Sequence, residues 1–246
     1  MQKAWLTTED GLFLFASGDL FAEKPWQSPV SRLIFGVTKE FADERLRYLR
    51  RRIYTDQALS PWEQNLVKVC AKRISLSESF QEDRLSAKRV IDIGQKFISD
   101  PTSIRCEDLV GIRLSSKEAL SLAVKLANDE QTAYKHENLH RSPRAVAAIL
   151  CKKNGELLGA AVNTNADCQM RHAEVNLFLN LAAEDHLRLP ADSVLYSSLK
   201  PCRMCAGLVL TLMAANESRI KIIAAQDDPG SFGRHNLLNS ILTLQA

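Results

Sequence analysis

The stretch that most constrains this chain is His172-Ala173-Glu174, followed by Pro201-Cys202-Arg203-Met204-Cys205, with Cys202 standing 30 positions after His172. One histidine and two cysteines fill three corners of a zinc tetrahedron. The fourth corner is left for water, the mark of a catalytic rather than a closed structural site. Glu174 is spare as a ligand, and a carboxylate there can take a proton from that water and return it to a leaving group. The chain between His172 and Cys202 reads as a helix and then a strand, so the ligands sit at the starts of two helices. Helix N-termini favour negative charge and lower thiol pKa, which suits thiolate ligation. The competing reading is a closed zinc clip, with Cys168 or Cys151 as fourth ligand. Such a clip needs neither Glu174 nor Pro201.

His-x-Glu…Pro-Cys-x-x-Cys is the signature of zinc nucleobase deaminases. With Pro201-Cys202-Arg203-Met204-Cys205-Ala206-Gly207, it resembles the cytidine deaminase-like superfamily, nearest to the tRNA adenosine deaminase and guanine/cytosine deaminase branch. The resemblance covers about residues 114–246. It implies a three-layer α/β/α domain with a mixed sheet, one bound Zn2+ on His172, Cys202 and Cys205, and hydrolysis of an exocyclic amine to a carbonyl. Glu174 would be the proton carrier, the backbone at Ala173 would face the base edge, and Asn163 and Asp227 would touch substrate. On the residues alone, Asn163 is equally a strand-end turn residue, and Asp227 with Asp228-Pro229-Gly230 equally a turn. There are departures too. Lys200 stands where the family carries an acidic residue before Pro-Cys. Ala215-Asn216-Glu217 looks inserted, and the loop between Asn163 and His172 is shorter than is usual in tRNA deaminases. Phe232-Gly233-Arg234-His235 adds a ring and a cation near the expected mouth.

Two domains are expected: an α+β domain over 1–112 that resembles no family, and the deaminase-like domain over 113–246. In the first, Ala4–Thr8 and Leu12–Ala16 read as strands joined through Asp10-Gly11, a hairpin signal. Val30–Thr38 reads as a third strand, and a helix follows from Lys39 with Phe41, Leu46, Leu49 and Ile53 at helical spacing. Ser60-Pro61-Trp62-Glu63 is a capping box with a first-turn proline. A further helix is expected from Ser79 to Ile98. The arginines of residues 45–52 read as a solvated helix face, with phosphate contact as the functional alternative. Trp5, Phe13, Phe15, Trp26 and Phe35 read as core.

In the second domain, Cys106 to Leu114 reads as a connector, and Ser115-Ser116-Lys117-Glu118 as a capping box opening a long helix. His136 and His140 read as surface residues. Ala145–Lys152 and Glu156–Asn163 form a hairpin through Asn154-Gly155. Then follow the helix from His172, a strand over Ser193–Leu199, the helix from Cys202, a strand over Arg219–Ala225, and a helix or strand over Leu237–Leu244. That alternation argues for parallel pairing after the hairpin.

Composition narrows the class. A charged fraction of 25% and a hydrophobic fraction of 46% are those of a globular protein, and the net charge of +3 neither demands nor forbids a polyanionic partner. The six cysteines show no disulfide spacing. Thiols and zinc thiolates suit a reducing compartment, and no apolar signal core or membrane span is evident, so a cytoplasmic protein without an anchor is expected. The leading functional expectation is deamination of adenine to hypoxanthine, or cytosine to uracil, in RNA and foremost in tRNA. The alternatives are deamination of a free base, nucleoside or nucleotide, and a non-catalytic zinc-stabilised subunit that binds nucleic acid. A homodimer is the expected assembly.

Overall fold

The computed structural model describes residues 1–19, 24–94, 107–136, 145–164, 168–183, 189–230, 233 and 242–244. The chain divides into two compact units, Met1–Ile98 and Ser99–Ala246. The sequence places the boundary later, at 112/113. The described residues just before that point already belong to the second unit. Gly111 N–H donates to Leu157 O at 2.9 Å, Leu157 N–H donates to Ile112 O at 2.8 Å, and Arg113 pairs with Glu156. Among the described residues, no helix is long and apolar enough to cross a membrane.

The first unit is built on a mixed sheet. Strands β1 (Gln2–Thr7) and β2 (Leu12–Gly18) form the expected hairpin, with Gly11 at φ +84° in the turn. β3 (Arg52–Thr55) pairs antiparallel with β1, β4 (Arg73–Leu76) parallel with β3, and β5 (Arg89–Asp92) parallel with β2. The order is therefore β4-β3-β1-β2-β5. Helix α1 (Pro29–Glu40) packs on β1 and β2, beside α2 (Arg45–Leu49) and α3 (Pro61–Cys70). Phe80 of α4 (Phe80–Leu85) meets the rings of Trp5, Phe13 and Phe15 edge-on.

Three expectations for this unit need correction. Val30–Thr38 is α1 and not a strand. Its β-branched content suggested extension, but Ser28 caps the helix (its Oγ accepts from Ser31 N–H at 3.3 Å) and Pro29 opens it. Val30, Leu33, Ile34 and Val37, at helical spacing, are fully buried. The helix expected from Lys39 shrinks to α2, and Ile53 lies in β3. The helix expected over Ser79–Ile98 stops at Leu85, and Val90 and Ile91 join β5, where pairing with β2 overrides the helical spacing. The arginine run is tied down locally. Arg47 bonds Asp10 at 2.9 Å and lies over the Tyr48 ring, Arg51 pairs with Glu9 at 3.0 Å, and Arg52 donates to Ser75. Trp5, Phe13, Trp26 and Phe35 are buried and Phe15 is half-buried.

In the second unit, α5 (Ser116–His136) starts at the expected capping box, with Ser115 N–H and hydroxyl both donating to Glu118. β6 (Ala147–Cys151) and β7 (Leu157–Val162) form the Asn154-Gly155 hairpin. After β7 come α6 (Ala173–Ala183), β8 (Ser193–Ser197), α7 (Arg203–Ala215), β9 (Ile220–Ala224) and β10 (Leu242–Leu244). The sheet order is β10-β9-β8-β6-β7, with β8, β9 and β10 parallel and β6 antiparallel to both β7 and β8. Ala119 and Ala123 of α5 pack on Ile149, Tyr196 and Ile223. On the opposite face, Gly159 brings the sheet against Leu177 and Leu181 of α6, with α7 alongside. This is the α/β architecture with helices on both faces of a mixed sheet. β7, β8 and β9 all end at one edge, and both site helices begin there.

Gly155 stands at φ +87°, and a Cβ on it would collide with the carbonyl oxygen of Leu114. Gly155→Ala is expected to lower stability by about 1–3 kcal/mol, read as a drop in melting temperature. An unchanged melting curve would contradict this account of the turn.

Candidate active site

Two loops deliver the site. After Asn163, the chain closes on itself where Thr164 N–H donates to Arg171 O at 3.0 Å, and His172 N–H donates to Met170 O at 2.9 Å. His172 C=O then accepts from Asn176 N–H at 2.9 Å, which makes His172 the residue that opens α6. The Asn176 amide donates to Val162 O at 2.8 Å and Thr164 Oγ1 at 2.9 Å, fastening the helix to the end of β7. The second loop leaves β8. Lys200 N–H donates to Gln226 O at 2.8 Å, and Cys202 caps α7, its C=O accepting from Ala206 N–H at 2.9 Å. Pro201 holds the residue before it extended, so the strand cannot run straight into the helix.

The three expected ligands converge. His172 Nδ1 lies 3.4 Å from Cys202 Sγ and 3.6 Å from Cys205 Sγ, and the two sulfurs are 3.7 Å apart. Tetrahedral zinc, with Zn–S about 2.3 Å and Zn–N about 2.0–2.1 Å, requires edges of about 3.8 Å between sulfurs and about 3.6 Å from sulfur to nitrogen. The donor triangle matches both. Among the described residues, no other His, Cys, Asp or Glu side chain joins the group. Cys151 lies in the α5 face of the sheet, in the cluster with Ile149 and Tyr196, and burial pushes its thiol up to about 11. Cys168 is buried and stands outside the triangle.

The charges suit a metal. Cys205 shares its proton with Cys202, so the Cys202 thiol is held well below its ordinary range, with His172 adding to the effect. Burial pushes the Cys205 thiol well above that range. Burial alone would lower the His172 imidazole, but the Cys202 sulfur, Glu174 and Asp228 outweigh it and raise it. Glu174 is also raised, first by burial and then by the Cys202 charge, while the Cys205 thiol donates to it. A buried carboxyl with raised proton affinity beside three ligand atoms is the arrangement needed to carry a proton.

The remaining expected residues divide. Ala173 is the first residue of α6 and is fully buried. Asn163 is buried at the end of β7, its N–H donating to Val146 O at 2.9 Å. Asp227 points outward. Its side chain is 60% exposed and pairs at 3.1 Å with Lys200, whose side chain is only 11% exposed. Asp227 and Gln226 also line a cavity of about 570 Å³ with Asn128, Ala145, Ser198 and Leu199. His136 closes α5, while Cys106, His140, Phe232, Arg234 and His235 lie outside the described residues. Two residues were not foreseen from sequence. Asn176 reads as one more polar position on an apolar helix, and Asp228, not Asp227, is the buried acid of its loop.

Zinc on these three atoms would take the place of the proton that burial holds on Cys205, a group raised well above its ordinary range, so zinc affinity should climb as pH rises and uptake should release protons. Chelator competition across pH, with calorimetry in buffers of differing ionisation enthalpy, checks this. A pH-independent affinity would contradict it.

Residues 137–242 match the model of the Bd3614-like deaminase family. No curated protein sequence matches the chain. Similar solved structures include a guanine deaminase from Nitrosomonas europaea, at 21% identity and TM-score 0.42, covering 55% of this chain and 79% of that one. A structure from work on A-to-I editing by tRNA:A34 deaminases has 22% identity and TM-score 0.35, over 50% and 82%. The dCMP deaminase from the cyanophage S-TIM5 has 21% identity and TM-score 0.33, over 48% and 90%. Over residues 137–242 the chain is thus similar to the Bd3614-like deaminases.

Proposed function

We propose that the second unit is a zinc-dependent hydrolytic deaminase acting on the exocyclic amine of a nucleobase, with a base carried in RNA, foremost tRNA, as its substrate. The observation that carries the zinc chemistry is the donor triangle, whose edges fit a tetrahedral ion on three protein ligands with Glu174 beside it. Zinc held there would supply Lewis-acid activation of water at cellular pH. In the overall reaction, water replaces the amine: the ring carbon gains a C=O bond, the C–N bond breaks, and ammonia leaves.

Glu174 accepts the proton that water gives up. It delivers that proton to the ring nitrogen beside the attacked carbon and later passes a proton to the departing nitrogen. Burial raises its affinity for protons, which favours its taking one up. Ala173, buried at the start of α6, brings backbone rather than a bulky side chain to the pocket wall. Asn163, at the end of β7, is the amide placed to orient the base or ribose. Asp227 is exposed and paired with Lys200, so any contact it makes with substrate competes with that ion pair.

A polymer substrate is favoured by the folded unit that precedes the deaminase segment in the chain. The free base, nucleoside or nucleotide remains the second reading. Zinc-loaded protein incubated with tRNA, single-stranded DNA, and free bases, nucleosides and nucleotides should yield inosine or uridine in tRNA by mass spectrometry. Glu174→Gln should lower that turnover by about 10²–10⁴-fold while still binding one zinc. Product from small molecules alone would reassign the substrate. Full activity in Glu174→Gln would overturn the mechanism.

A further inference from the structure

The five strands of the first unit's sheet share one end, at the turn between β1 and β2. β1 ends there and β2 begins there. β3 runs antiparallel to β1, β4 parallel to β3, and β5 parallel to β2, so these three begin there as well. Each of the three begins with an arginine: Arg52, Arg73 and Arg89. Lys72 and Lys88 precede two of them, and the Lys88 stem lies against the turn, where a Cβ on Gly11 would meet its Cδ at 2.9 Å. Arg73 stands directly opposite Arg52 across the β3–β4 pair. Like charges so placed weaken a sheet, so strand pairing does not account for them. Acids do not balance this end either. Glu9 and Asp10 of the turn are taken by Arg51 and Arg47, and Arg52 donates to the neutral Ser75 hydroxyl. Lys72, Arg73, Lys88 and Arg89 are all exposed, and among the described residues no ion pair or side-chain hydrogen bond engages them. These four cations outweigh the net +3 of the whole chain, so the rest of the protein is net negative. A polyanion is therefore drawn to this end of the sheet rather than spread over the surface.

We infer that this end of the sheet is an RNA-binding surface, on which Arg73 and Arg89 contact phosphates with Lys72 and Lys88 beside them. The two arginines lie on the outermost strands, β4 and β5. Four strand spacings of about 4.8 Å set their backbones about 19 Å apart. Phosphates of one strand follow one another at about 3.4 Å along a helical axis, so the row spans several of them. The inference rests on the RNA reading proposed above. It gives the first unit a part in that reading: it holds the polymer on which the second unit acts.

The test compares the full chain with two double variants. Arg73→Gln/Arg89→Gln removes the edge arginines, and Lys117→Gln/Lys221→Gln removes two exposed cations of the second unit. Affinity for tRNA is read by fluorescence anisotropy across salt concentration. Each lost phosphate contact lowers the slope of log affinity against log salt by about 0.7–0.9. The arginine pair should therefore lose about 1.4–1.8 in slope and bind about tenfold or more weakly near 0.1 M salt. The lysine pair should bind as wild type does. Arg73→Lys/Arg89→Lys, which keeps the charges, should retain most of the affinity. Vesicles containing phosphatidylserine are the second probe, and wild type should bind them no better than the arginine variant does. A wild-type slope in Arg73→Gln/Arg89→Gln, or equal losses in both glutamine pairs, would overturn the inference and leave the deaminase reading standing. Vesicle binding lost in the arginine variant, with tRNA affinity intact, would assign this end of the sheet to a lipid surface and overturn it too. A wild type that deaminates only small molecules, while its tRNA binding still depends on Arg73 and Arg89, would overturn the RNA substrate and leave the inference standing.

Discussion

Everything functional in the second unit depends on three donor atoms being held at zinc-compatible separations before any metal arrives. Separations of 3.4, 3.6 and 3.7 Å between a nitrogen and two sulfurs are set by backbone, because each donor sits at or within one turn of a helix start. Those starts coincide because β7 and β8, each antiparallel to β6, end on the same side of the sheet. The sheet must therefore form with that order and those strand directions for the site to exist. Burial raises the Cys205 thiol and the Glu174 carboxyl, while the Cys202 thiol is held low by its neighbours. A divalent cation held on these three donor atoms would take the place of the proton that Cys205 keeps.

The donor cluster of His172, Cys202 and Cys205 was legible because each half of it is a short spacing, His172-x-Glu174 and Cys202-x-x-Cys205, and the apolar runs around both halves specify the helices and strands that bring them together. The Asn154-Gly155 turn and the Ser115 capping box were equally plain, each being decided within a few residues. Asp227 and Asp228 were not separable. Which of two adjacent acids turns inward depends on how the chain closes at Gly230 and Gly233, and spacing alone does not carry that. Asn176 escaped notice because an asparagine on an apolar helix gains meaning only when the strand end it grips comes into place.

The first unit was legible only in part, for two reasons. Val30–Thr38 reads as a strand from sequence, yet Ser28 and Pro29 open a helix there just as Ser60 and Pro61 do at Pro61–Cys70. β3, β4 and β5 are four residues each and are recruited by pairing with strands distant in sequence. Such short strands carry no pattern of their own. The arginine run illustrates the opposite case. Its functional reading gives way once Asp10, Glu9 and Ser75 are seen to engage Arg47, Arg51 and Arg52.

The most direct test of the account is X-ray absorption at the zinc edge of the metal-loaded protein. The account predicts two sulfur scatterers at about 2.3 Å and two lighter atoms at about 2.0–2.2 Å, unchanged in Cys168→Ser. Three sulfurs, or a sulfur lost on replacing Cys168, would show a closed structural zinc site and contradict the claim that this triangle leaves a coordination position for water.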